Sequence, residues 1–188
     1  MTKLHTTPSA TVGPYWAIGL TWEDGPFAVA PDTPGAVWVR GRVLDGAGDP
    51  LKVGLVETWQ ADPDGRFDHP DDPRDGSVRP GFRGFGRASL ADGGEFAVCT
   101  LKPGRVPDGE GGLQAPHLDV SVFSQGLLDR LVTRIYFADE TEANASDVVL
   151  RSLPSDDARR TLIATPTDDG YRLDIHLQGD RETVFFAV

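Results

Sequence analysis

The sequence predicts a mainly β protein, an antiparallel β-sandwich with an irregular N-terminal arm and few short helices. Three observations carry this reading. Several segments alternate polar and apolar residues with a period of two, Asp-Gly turn signals fall between them, and helical periodicity is sparse. Glycine and proline supply 22 and 15 of the 188 residues, which favours many turns over long helices. The length suits one domain, residues 1–188, with room for a sizeable core.

In chain order, residues from about 1 to 34 form the arm. It carries Pro8, Gly13, Pro14, Gly25, Pro26, Pro31 and Pro34 among Tyr15, Trp16, Trp22 and Phe27. Such a stretch cannot close a core of its own, so its aromatic rings are expected to pack on this domain or on a partner chain. The runs AVWVRGRVLD, LVETWQAD, GEFAVCTL, HLDVSVF, TRIYFAD and ETVFFAV are rich in β-branched and aromatic residues and predict strands. YRLDIHLQ alternates most cleanly, with Tyr171, Leu173, Ile175 and Leu177 facing inward and Arg172, Asp174, His176 and Gln178 outward. Asp45-Gly46, Asp64-Gly65, Asp92-Gly93 and Asp169-Gly170 mark turns. The stretch from Phe67 to Arg83 reads as a long polar loop. A short helix is predicted after Ser155, a good N-cap followed by Asp156 and Asp157 and then Arg159 and Arg160. GLLDRL and ASDVVLRSL are further short helix candidates.

Eighteen Lys and Arg against 29 Asp and Glu leave a formal charge of −11. Nucleic-acid binding is a poor fit, because it needs clustered positive charge. No apolar run reaches the ~20 residues of a membrane helix and the first residues hold no secretory core, so a soluble, cytoplasmic protein is expected. The single cysteine, Cys99, lies in an apolar run and predicts an inert core thiol.

Candidate chemistry is thin on spacing alone. His117 and Asp119 stand two residues apart on one predicted strand face. With the distant His176 they have the form of a two-histidine, one-carboxylate iron site, and equally that of outward polar residues on a half-exposed strand. His5 and His69 read as loop residues. No nucleophile elbow or phosphate loop is present, and the acidic pairs Asp71-Asp72, Asp156-Asp157 and Asp168-Asp169 read as caps and solvated turns. Arg134 lies within the strongly β-forming TRIYF, where a guanidinium is solvated, paired or aimed at an anion.

The runs TPSATVGPY, VETWQAD, GFGR, TLKPG, APHLDVSVF, LVTRIYFAD, TLIA, YRLDIHLQG and ETVFF, in this order, resemble the intradiol ring-cleavage dioxygenases over nearly the whole chain, from about Thr7 to Val188. The resemblance implies a β-sandwich and non-haem Fe(III), which the family's catalytic chains hold with two tyrosinates and two histidines. At the matching places stand Phe67, the pair Arg105 and Val106, and His117-Leu118-Asp119, and none of Tyr15, Tyr136 and Tyr171 falls at a ligand position. The resemblance therefore implies a metal-free alpha-type chain in an obligate hetero-oligomer of alpha–beta pairs, the beta chain holding Fe(III), with protocatechuate and O2 as substrates. Carried over, its contribution to the partner's active site is the pocket-lining set Thr11, Gly13, Pro14 and Tyr15, with Arg134 binding the substrate carboxylate. Two other readings remain open: a self-sufficient iron oxygenase on His117, Asp119 and His176, and a non-catalytic module that binds an aromatic acid.

Overall fold

The structure is a computed structural model and describes residues 13–72, 74, 78–90 and 93–187. Thr11, His5 and Asp92 lie outside the described residues. The elements, in order, are α1 (Pro14–Gly19), β1 (Ala36–Leu44), β2 (Gly54–Trp59), β3 (Phe85–Ser89), β4 (Glu95–Leu101), β5 (Val106–Pro107), β6 (Leu113–Gln114), β7 (His117–Ser124), β8 (Leu131–Phe137), α2 (Thr141–Ser146), α3 (Val148–Ser152), α4 (Asp156–Arg160), β9 (Ile163–Thr167), β10 (Gly170–Arg172) and β11 (Ile175–His176).

The strands form two layers. In one, β1 pairs antiparallel with β4 and parallel with β10 and β11. In the other, β7 lies between β2 and β8, and β3 extends β2. Strand β9 joins the layers, pairing antiparallel with β10 and parallel with β8. The predicted alternation fills the space between: Val39, Val43, Phe96 and Val98 from the first layer meet Val56, Leu118, Val120, Val122, Ile135 and Phe137 from the second. Burying side chains of this size stabilises the fold by about 1.5–3 kcal/mol each. The Phe137 and Tyr171 rings close the layers edge to face, with centroids 4.7 Å apart.

Four expectations need correction. The sandwich is mainly antiparallel, yet β1 with β10, β1 with β11, and β8 with β9 run parallel. YRLDIHLQ is split into β10 and β11. Between them the Asp174 carboxylate accepts the Arg42 N–H at 2.9 Å, taking the place of a ladder carbonyl. The chain crosses β1 there so closely that a Cβ on Gly41 would stand 1.7 Å from the Leu173 carbonyl oxygen, so only glycine fits. ETVFFAV is not a strand. Its Val184 N–H donates to Thr161 Oγ1 and its Val184 carbonyl accepts from Thr133 Oγ1, so hydroxyls serve its backbone, and Phe186 makes a lone bridge to Val132. GLLDRL is not a helix: its first five residues lie in the loop after β7 and Leu131 opens β8.

The helices are short, as predicted. Ser155 caps α4 through a bond from Ala158 N–H, and ASDVVLRSL holds the end of α2 and all of α3. Among its described residues the arm contains one short helix, α1, opened by Pro14 at a position where its missing N–H loses nothing. No helix among the described residues is long and apolar enough to cross a membrane.

Candidate functional site

Because Leu118, Val120 and Val122 point into the core, His117 and Asp119 point to the opposite face of β7. Register sets Asp119 directly across from Arg134, and His117 across from Tyr136. The α2–α3 segment packs on this face through Ala143 and Leu150, which cluster with Tyr136 and Ala115. The result is a half-sealed polar cluster. Arg134 Nε donates to Asp119 Oδ1 at 2.9 Å, and its Nη1 donates to Gln114 Oε1 at 2.7 Å and to the Tyr136 hydroxyl at 3.3 Å. Tyr136 in turn donates to Asp147 Oδ1 at 3.2 Å.

Asp147 is fully buried and anchors the cluster: its carboxylate also accepts the N–H groups of Ala115, Val149 and Leu150. His117 Nδ1 lies 2.7 Å from the Ala115 carbonyl, which can only accept, so the ring proton sits on Nδ1. Burial pushes the His117 pKa below its ordinary value and the Arg134 cation pushes the same way, while Asp119 pulls weakly against them. The imidazole is thus neutral. Burial also raises the Tyr136 phenol, so it remains a donor.

At the other implied ligand positions, Phe67 stacks on Trp59 with centroids 6.1 Å apart and rings 7° from parallel. Arg105 donates to the Leu113 carbonyl at 2.6 Å, and Val106 is buried in β5. These residues do not suit a ferric ion. Phe67 and Val106 have no donor atom, and the Asp119 carboxylate is already held by a cation.

Phe67 and Trp59 instead wall an apolar cleft of about 710 Å3 with His69, whose ring meets Trp59 edge on. His69 is a loop residue, as expected, and its ring also lines this cleft. Arg74 beside Asp72 closes one side and holds that carboxyl well below the usual carboxylate range.

Of the predicted pocket residues, Thr11 lies outside the described residues, and among the described ones no hydrogen bond joins Gly13 or Tyr15 to Arg134. Gly13 opens into free space and Tyr15 is 86% exposed on α1. The triad His117, Asp119 and His176 is overturned. His176 sits on β11 in the layer built on β1, whereas His117 and Asp119 sit on β7 in the other, and Asp119 is bonded to Arg134. Cys99 is a buried thiol whose pKa burial pushes up, as expected of an inert core residue.

Sequence reasoning missed Gln114, Tyr136 and Asp147. Tyr136 was findable, being two residues from Arg134 on one strand face. Asp147 precedes the apolar run of α3 as an N-cap does. Gln114, on a two-residue strand, left no local signal.

A two-layered β fold with an arginine-bearing cluster outside one layer and remnants of a four-ligand pattern has clear relatives. The chain belongs to the dioxygenase family, whose sequence profile matches residues 13–179. It is similar from end to end to one kind of subunit. It is 39% identical to the protocatechuate 3,4-dioxygenase alpha chain of Pseudomonas putida, over 97% of this chain and 96% of that one. It is 40% identical to the alpha chain of Burkholderia cepacia over the whole of both. The beta chain from Burkholderia cepacia is 36% identical over 75% of this chain and 63% of its own length. Among solved structures, catechol 1,2-dioxygenase from Pseudomonas arvilla C-1 shares the fold with a TM-score of 0.59 at 20% identity, over 81% of this chain and 55% of that one.

Proposed function

We propose that this chain is the alpha subunit of a protocatechuate 3,4-dioxygenase built from alpha–beta pairs, with Fe(III) on the beta chain. The reaction cleaves the bond between the two hydroxylated carbons of protocatechuate, adds one atom of O2 to each, and gives 3-carboxy-cis,cis-muconate. The observation that carries this reading is end-to-end identity of 40% to an alpha chain, joined to ligand positions occupied by Phe67 and Val106. Iron chemistry then falls to the partner, and this chain binds and orients.

Arg134 receives the substrate carboxylate, which its planar fork matches. Gly13 and Pro14 let backbone approach a flat ring, with Thr11 and Tyr15 completing the wall. The exposure of Tyr15 at 86% and Ile18 at 72% supports an arm that is covered by another chain.

The test is to express this chain alone and together with a beta chain, and to measure iron and protocatechuate oxidation. The expected result is an iron-free, inactive single chain and an iron-bearing, active complex. Stoichiometric iron and turnover in the single chain overturn the proposal.

A further inference from the structure

Arg134 has five N–H donors. The fold commits three of them, one at Nε to Asp119 and two at Nη1 to Gln114 and the Tyr136 hydroxyl. The acceptors come from three separate strands, β7, β6 and β8. Among the described residues no acceptor meets Nη2. The guanidinium borders a small recess of about 150 Å3, whose other walls are Asp119 and the apolar side chains of Val132, Val149 and Phe186. Such a clamp fixes the plane of the fork and leaves one edge free.

We propose that Asp119 and Gln114 are positioning residues, which hold the Arg134 fork so that its Nη2 edge faces the substrate carboxylate. The inference rests on the carboxylate role given to Arg134 above. It assigns Asp119 a purpose at a position where the family pattern places a metal-binding histidine: its oxygen orients a cation.

Orientation and charge make opposite demands on Asp119. As an anion it opposes a second carboxylate, whereas as an acceptor at 2.9 Å it fixes the fork that receives one. Asparagine keeps the acceptor and discards the charge, so it separates the two.

The experiment uses the assembled alpha–beta complex, with iron content checked, and two substrates: protocatechuate and 4-methylcatechol, which lacks the carboxylate. Asp119→Ala is expected to raise KM for protocatechuate about tenfold with kcat within about twofold, and Asp119→Asn to stay within about twofold in both. Neither is expected to change KM for 4-methylcatechol. An unchanged protocatechuate KM in Asp119→Ala, an Asn variant as poor as Ala, or equal losses on both substrates overturns the assignment. Arg134→Ala run alongside separates the two failures. If it raises KM while Asp119→Ala does not, only the positioning role falls. If it changes nothing, the carboxylate reading falls and takes this one with it. Should Asp119→Ala not assemble, Gln114→Ala removes the acceptor on Nη1 and is judged by the same outcomes.

Discussion

His117 sits only 6% exposed, bonded to the Ala115 carbonyl and tilted against Tyr136 with Arg134 nearby. Its pKa is below the ordinary 6.5 because the folded chain buries it beside a cation. The folded state therefore binds fewer protons here than the unfolded chain does. Stability is full above about pH 6.5 and falls as pH drops through that value toward the folded-state pKa, by at most about 1.4 kcal/mol per pH unit for one ring. Urea unfolding between pH 8 and pH 5 is expected to show this decline, and His117→Gln to flatten it. His176, also lowered by burial, contributes a second share that the variant leaves in place. An identical slope in parent and variant rules out His117 as its source. Arg134 was legible as a residue because a guanidinium on a β-forming run demands a partner. Which partner was not, since Asp119 meets it across the register of two strands and Gln114 comes from a third.

Asp147 does for an element what Arg134 does for a site. It caps α3 at two N–H groups, ties the Ala115 N–H that leads into β7, and receives the Tyr136 hydroxyl. Asp147→Ala strands several buried donors at once and is expected to destabilise the chain by about 3 kcal/mol, with Asp147→Asn losing less. Chemical denaturation of the two variants checks this, and a loss below about 1 kcal/mol in the alanine variant contradicts it.

The contrast with the strands shows what a sequence carries at this scale. HLDVSVF and AVWVRGRVL announce their strands because burial alternates along them. FGRAS, which forms β3, also alternates in burial, but its inward residues are Gly86 and Ala88, so no large apolar side chains mark the alternation in the sequence. Its Gly86 lies where a Cβ would stand 2.5 Å from Val98 Cγ1, so closeness of the layers selects the residue. ETVFFAV has strand composition but finds hydroxyls in place of a ladder. Parallel pairing was equally hidden, for it depends on a partner far along the chain.

For the whole molecule, the exposed face of α1 matters most. Tyr15 and Ile18 project outward, while Trp22 beyond them stacks on Phe85 with Arg87 over its ring. Trp22 thus fastens the arm to this chain, while α1 before it presents apolar surface. Ile18→Asp is expected to leave the thermal midpoint of the isolated chain unchanged and to weaken association with the beta chain at least tenfold, roughly the effect of placing a charge in an apolar interface. Calorimetry and gel filtration read the two separately. An intact complex with the parent's affinity removes α1 from the interface.

The pairing of β1 with β10 and β11 bears on how the chain is made. Arg42 and the Asp174 carboxylate that receives its N–H lie 132 residues apart. At a synthesis rate of about 5–20 residues per second, one edge of β1 waits roughly ten seconds on the ribosome before its neighbour emerges. Throughout that interval the strand offers unpaired backbone to any extended segment nearby. The newborn chain thus passes through a window of vulnerability to misassembly that closes only with residues 170–176.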